Sequence, residues 1–337
     1  MKKFFYLAFL VLCLCACNNK NVKQGYFCDR HEVIDKPSDS LVIKGETLIP
    51  ADTTTFVAAL SVEGDCLYLQ TVNTDEIFRV YSLDGRLLGS FGKNGNAKNE
   101  FSRGLAMTGQ CTDGDVWVYD ANRMALWSFN TAASLKAKSP VFKKSFPADQ
   151  LSSNVFYLND TAIVYDSETA NNFCLKIVNP KTKTVKKKLD LYETPHKEAA
   201  EVYDTHSALS PDGKHLAMAM MYLNQMNFIS LTDFERSSTS LYRDSKICED
   251  ESKKVFYYRG IATNDNYVCG LYSNTLLMGG GKEQKNTEIH VFDWNGNFKT
   301  KLVTNDILYA IAIDKNGSVF GLDKDQNIRL YRNALQN

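Results

Sequence analysis

Five side chains able to bind an anion recur at near-equal intervals. Arg103, Asn154, His206, Arg259 and Tyr309, with Phe56 ahead of them, are spaced by 47 to 53 residues. Two guanidinium groups and an imidazole brought together would favour a carboxylate or phosphate, which guanidinium grips with a two-pronged fork. Asn154 and Tyr309 could add neutral hydrogen bonds. The plainer expectation is that each arginine pairs with a neighbouring Asp or Glu. Other motifs carry less. His31, His196, His206, His215 and His290 form neither HxH nor HExxH, which excludes zincin spacing. No Gly-x-Ser-x-Gly elbow occurs. Gly92-Lys93-Asn94-Gly95, with Lys98, lacks the interval of a phosphate loop and reads as a turn. Gly279-Gly280-Gly281-Lys282 lies in an insert from Ser273 to Thr287; a loop is the plain reading, a lid over a central site the sharper one. Asp84-Gly85, Asp113-Gly114 and Asp212-Gly213 are turn pairs. Lys181 to Lys188 reads as a solvated strand edge. These residues name no catalytic group, no cofactor and no metal site.

The start of the chain is an address. Lys2 and Lys3 precede an apolar run, Phe4 to Leu14, too short to span a bilayer as a helix. A positive start, a short apolar run and small residues match a secretory signal. Leu14-Cys15-Ala16-Cys17 resembles a lipobox, in which the cysteine after a small residue is acylated and cleavage falls just before it. The expected lipidation site is Cys17, with residues 1–16 as signal peptide and 17–39 as tether. Neither an Asp after Cys17 nor an acidic run follows, so the expected place is the outer membrane, facing the periplasm. Basic and acidic residues both number 39, which gives no support for nucleic-acid binding. Loss of Lys2 and Lys3 leaves 37 against 39. The remaining cysteines, Cys28, Cys66, Cys111, Cys174, Cys248 and Cys269, show no CxxC and mostly flank apolar runs, so they read as free.

The elements that would position these residues are strands. Short apolar or alternating runs such as Phe78-Arg79-Val80-Tyr81 and Val116-Trp117-Val118-Tyr119 stop at Asp, Asn, Gly or Lys clusters. No long amphipathic helix interrupts them; Tyr192 to Tyr203, the best short candidate, reads as loop. One phrase of strand, polar turn and strand begins at Phe56 and returns at Arg103, Asn154, His206, Arg259 and Tyr309. A further strand pair follows each phrase. Four strands in about fifty residues is one propeller blade. The sixth copy stops after Ile328-Arg329-Leu330-Tyr331, one strand short, and Ser40 to Leu48 is free to complete it. The expected fold is all-β: one six-bladed β-propeller of four-stranded antiparallel blades over residues 40–337, closed by an N-terminal strand.

Phe91-Gly92, Glu100-Phe101 and Gly114 to Asp120 resemble the NHL-type blade pattern. Ser210-Pro211-Asp212-Gly213-Lys214 resembles the blade turn of TolB-like propellers. With the lipobox, the chain resembles TolB-like six-bladed propeller lipoproteins of Bacteroides-type bacteria. That resemblance implies the architecture and a cell-envelope setting. The expected function is a non-enzymatic binding or protein-interaction module, monomeric, anchored to the membrane by lipid. Its expected partner is a protein or a small anionic ligand at the channel mouth. The alternative is a metal-dependent propeller hydrolase or lactonase, with channel carboxylates around a divalent ion.

Overall fold

The computed structural model describes residues 28–336, apart from 38–39, 73, 96, 103, 113, 149–151, 153, 170–171, 194–203, 247, 249 and 279–283. Three strands precede the repeats: β1 (Arg30–Ile34), β2 (Ser40–Val42) and β3 (Glu46–Ile49). Blade one is β4 (Phe56–Glu63), β5 (Cys66–Val72), β6 (Phe78–Ser82) and β7 (Leu87–Phe91). Blade two is β8 (Leu105–Thr112), β9 (Asp115–Asp120), β10 (Ala125–Asn130) and β11 (Phe142–Pro147), with helix α1 (Thr131–Ala137) before its last strand. Blade three is β12 (Val155–Asn159), β13 (Ala162–Thr169), β14 (Asn172–Asn179) and β15 (Thr184–Glu193). Blade four is β16 (Thr205–Leu209), β17 (His215–Met220), β18 (Met226–Ser230) and β19 (Arg236–Leu241). Blade five is β20 (Val255–Thr263), β21 (Val268–Leu276), β22 (Thr287–Phe292) and β23 (Phe298–Thr304). Blade six is β24 (Leu308–Ile313), β25 (Val319–Asp323) and β26 (Ile328–Tyr331), completed by β3. The molecule is a six-bladed β-propeller.

The N-terminal segment divides its work more finely than one closing strand. Glu46–Ile49 pairs antiparallel with β26 and closes the ring. Ser40–Val42 instead adds a fifth, parallel strand to blade five, against β23. Arg30–Ile34 does the same for blade four, against β19. The sheet therefore begins ahead of the expected boundary at residue 40. Parallel addition covers two outer edges whose backbone groups would otherwise lie open.

The apolar core lies between blades, because each strand alternates its side chains toward the blade before and the blade behind. Between blades one and two, Tyr68, Phe78, Phe91, Phe101 and Phe129 are buried together. Phe101, from the glycine-and-Glu-Phe phrase, meets Phe78 edge-on with ring centres 5.6 Å apart. Gly92 makes room for it: its φ is +86°, and a Cβ there would lie 3.2 Å from the Phe101 ring. Helix α1 has Asn130 as its cap, whose side chain accepts from the Ala133 N–H, and ends at Lys138 in the left-handed region. Its seven residues carry too short a period to stand out from the flanking strands. Residues 192–193 lie in β15, while 194–203 lie outside the described residues. The lysines from 181 to 188 are exposed on and beside β15, the outer edge strand of blade three. Among the described residues all six cysteines are free, with Cys174 and Cys269 buried.

Candidate functional site at the channel mouths

The innermost strands β4, β8, β16, β20 and β24 touch one another around the ring axis, and β12 touches β8. Their first residues gather at one mouth of the central channel and their last residues at the other. The repeat phrases place Phe56, Asn154, His206, Arg259 and Tyr309 at the first mouth; Arg103 lies outside the described residues.

That mouth brings together some of these residues and separates others. The Arg259 guanidinium lies 5.5 Å from the Tyr309 ring centre and 5.6 Å from that of Phe256. Its Nε donates to the Ser273 hydroxyl at 2.8 Å. Among the described residues no carboxylate pairs with it, so the plainer expectation of an ion pair to a neighbouring blade does not hold for Arg259. Tyr309 is 45% exposed and Phe56 51%. The surface is aromatic and cationic. Asn154 is already engaged: its amide donates to Asp166 at 2.6 Å and reaches the Thr205 hydroxyl at 3.5 Å. The His206 Nε2 is buried without a hydrogen-bond partner. Burial lowers the His206 pKa, so this imidazole resists the positive charge expected of it. Cys17 and the glycines 279–281 lie outside the described residues.

The opposite mouth holds a cavity of about 300 Å³. Five blades line it, through the end of β4 (Glu63) and the turn after it (Asp65), the bulged strand β8 (Gly109 to Cys111), Ser210 after β16, Asn264 and Asp265 after β20, and Lys315 after β24. Glu63 is 4% exposed. The Ser61 hydroxyl donates to it at 2.5 Å, and the Gly109 backbone N–H donates as well. Burial pushes the Glu63 carboxyl up to about 8 against these two donors. Strand β8 slips register between Met107 and Cys111, and Gly109 sits at φ +70° within that bulge. Gln110 fixes the bulge to the next blade: it donates to the Tyr157 carbonyl at 2.8 Å and accepts from the Tyr157 N–H at 2.9 Å. At the rim, Lys315 pairs with Asp65 at 2.8 Å. Sequence reading missed this mouth because Glu63-Gly64-Asp65 looks like an ordinary polar turn; the strand ends of other blades, Gly109 of blade two among them, enclose Glu63.

Two ionisable clusters lie away from the axis. On blade four, His31 Nε2 donates to Asp244 at 3.1 Å and Nδ1 accepts from Ser238 at 2.6 Å, while Cys28 lies 2.9 Å from the Ser238 hydroxyl. This is a serine–histidine–aspartate chain by type. Ser238, however, is 2% exposed and paired on both sides, to β18 and β1. It fastens β1 to the blade and presents no nucleophile to solvent. On blade five, the Tyr258 hydroxyl donates to His290 at 3.0 Å, and His290 reaches Glu288 at 3.4 Å. Tyr242 donates to Glu288 and accepts from Lys301 at 2.8 Å. Burial works against the Glu288 charge, but the bonds from His290 and Tyr242 and the Lys301 ammonium hold its carboxyl at about 2. Among the described residues no group of three or more His, Cys, Asp or Glu is placed to hold a metal ion.

A family model for TolB-like six-blade propellers matches residues 46–316. No curated protein matches the chain. A solved structure of a Bacteroides fragilis protein described as exported superposes with a TM-score of 0.54 at 11% identity, covering 90% of this chain and 98% of its own. A DUF4221 family member from Bacteroides vulgatus gives a TM-score of 0.57 at 10% identity, covering 88% and 98%. At such identities the likeness concerns the fold alone.

Proposed function

The chain belongs to the TolB-like six-bladed propeller family, and from that premise we propose that it is a non-enzymatic binding module of the cell envelope. In this reading Cys17 carries the lipid, the outer membrane holds the anchor, and the propeller works in the periplasm as a monomer. The observation that carries the binding role is the axial cavity lined by five of the six blades. Concave sites with a few convergent polar groups are where propellers and other closed folds take ligands. The leader supports export; the Bacteroides fragilis protein of like fold is itself described as exported. The first mouth, with Arg259 stacked between Phe256 and Tyr309, supports docking of an anionic or aromatic group there, since arginine and tyrosine dominate interface hot spots.

Site-specific photo-cross-linking of the native lipoprotein in cells tests this. A photo-reactive residue at Asp265 or Tyr309 is expected to trap a partner or ligand, and one at Lys186 on the outer edge is not. Equal labelling at all three positions would overturn the axial reading. A fluorophosphonate probe tests the absence of catalysis. It is expected to leave Ser238 unmodified, and labelling lost in Ser238→Ala would make the protein an enzyme.

A further inference from the structure

We propose that the mouth holding Glu63 binds an organic cation, an ammonium or guanidinium on a slim alkyl stem, with the Glu63 carboxylate as its counter-ion. The proposal rests on the axial binding role and gives it a chemical class. Two donors are already aimed at Glu63, the Ser61 hydroxyl and the Gly109 N–H, an arrangement suited to a charged acceptor. The second donor requires a local irregularity: a register slip in the innermost strand of blade two, with Gly109 in the left-handed region. No atom lies within 4 Å of where a Gly109 Cβ would sit. The glycine therefore serves the backbone angle rather than a tight fit. Bulges of this kind re-aim groups beside functional sites, and Gln110 locks this one to Tyr157. The carboxyl is thus prepared for charge in a place where burial disfavours charge. A cation in the cavity resolves that conflict.

The lining agrees in sign. Glu63, Asp65 and Asp265 face one ammonium, Lys315, which is committed to Asp65 at the exposed rim. Cys66, Tyr68 and Cys111 lie beside Glu63, and burial raises all three, Cys111 to about 11. They stay neutral over the range in which Glu63 titrates. A hard divalent ion suits the cavity less, because it needs several convergent oxygen ligands and no group of three candidate ligands is so placed among the described residues. A volume of about 300 Å³ is roughly that of ten waters in bulk, room for a guanidinium and its stem. Binding is a proton exchange: the Glu63 carboxylic acid gives its proton to solvent as the cation enters. Below pH 8 one proton should leave per ligand bound, and affinity should rise as pH approaches 8.

Calorimetric titration of the full chain with butylamine and butylguanidine, in buffers of different ionisation enthalpy, is the test. Saturable binding with about one proton released at pH 7 is expected. Glu63→Gln should weaken it at least tenfold while a thermal melt shows the fold retained. Lys315→Met, at the exposed rim, should strengthen it several-fold and gives an independent reading should Glu63→Gln be unstable. A lysine- or arginine-containing peptide binding tighter than the free amine would place the cation on a protein partner; equal affinity would place it on a small molecule. Absence of saturable binding, equal binding by Glu63→Gln and wild type, or displacement by calcium at equal concentration would each overturn the proposal. Persistent cross-linking at Asp265 without amine binding would sink the cation alone, whereas loss of both would sink the axial binding role too.

Discussion

A buried glutamate and a half-buried one, of opposite disposition, predict opposite pH behaviour. Glu63 has its carboxyl raised to about 8 by burial, while an unfolded glutamate titrates near 4.3. Between those values the folded chain holds a proton that the unfolded chain has lost, so this group removes stability as pH rises. The loss approaches on the order of 4 kcal/mol by pH 8. Glu63→Gln should therefore be more stable than wild type at pH 8 and nearly equal to it at pH 4.5, as read by urea unfolding at both. A variant no more stable at pH 8 would show that Glu63 is already ionised. Glu288 is held at about 2, so its contribution is present above the unfolded value and lost as pH falls toward 2. His290 adds in the same direction, because burial keeps it neutral and acid must charge it. Glu288→Gln should cost roughly 2–3 kcal/mol at pH 7 and flatten the acid limb below pH 4.5. An unaltered acid limb would refute the assignment. Neither glutamate was visible as special in the sequence. Glu288 sits in an alternating strand and Glu63 at the end of one, and what sets them apart comes from neighbouring strands: Tyr242, His290 and Lys301 around Glu288, and Gly109 of the next blade beside Glu63. Arg259 was legible, since its place in the repeat put it at a mouth; its aromatic bed was not, because Phe256 belongs to no repeated position.

Strands were easier to read than their partners. Period-two runs ended by Asp, Asn or Gly mark most of β4 to β26, and the missing last strand of the sixth copy correctly called for an N-terminal one. The sequence could not say that Ser40–Val42 and Glu46–Ile49 would serve different blades, because a three-residue run pairs with any open edge. Nor could it reveal β1, whose hold on blade four depends on long-range bonds: Asp29 to Arg236 at 3.0 Å and His31 to Ser238 at 2.6 Å. Closure by β3 makes a test at this scale. Gly45 lies just before β3, and a Cβ there would come within 2.6 Å of the Tyr331 ring, which is buried. Tyr331 in turn donates to Asp306 at 2.6 Å. Gly45→Val should push the ring out, break that bond and loosen the closing strand, at a cost of ~1–3 kcal/mol from overpacking. Hydrogen exchange is expected to quicken first in Glu46–Ile49 and Ile328–Tyr331. Uniform quickening over all six blades would mean that closure is not where the ring opens.

The strand β1 also orients the whole molecule if Cys17 carries the anchor. Thirteen residues, Cys17 to Asp29, then separate the lipid from the sheet. A fully extended chain of that length reaches at most about 45 Å. A domain of this size has a radius of gyration near 19 Å by the usual scaling, so its far rim lies beyond or at the limit of the tether. Because β1 pairs along the outer edge of blade four, that edge is the one drawn toward the membrane. Blade one stands opposite it in a six-fold ring. The channel axis then runs along the membrane plane, and both mouths open sideways, each free for a ligand. A photo-reactive residue at Asp233, exposed in the β18–β19 turn beside the start of β1, should yield lipid adducts in native membranes. The same residue at Arg86, exposed in the β6–β7 turn of blade one, should yield few. The reverse ratio would place blade one against the membrane and disconnect the anchor from β1. Equal adducts at both positions would mean that the propeller tumbles on its tether, and that the two mouths have no fixed bearing to the surface.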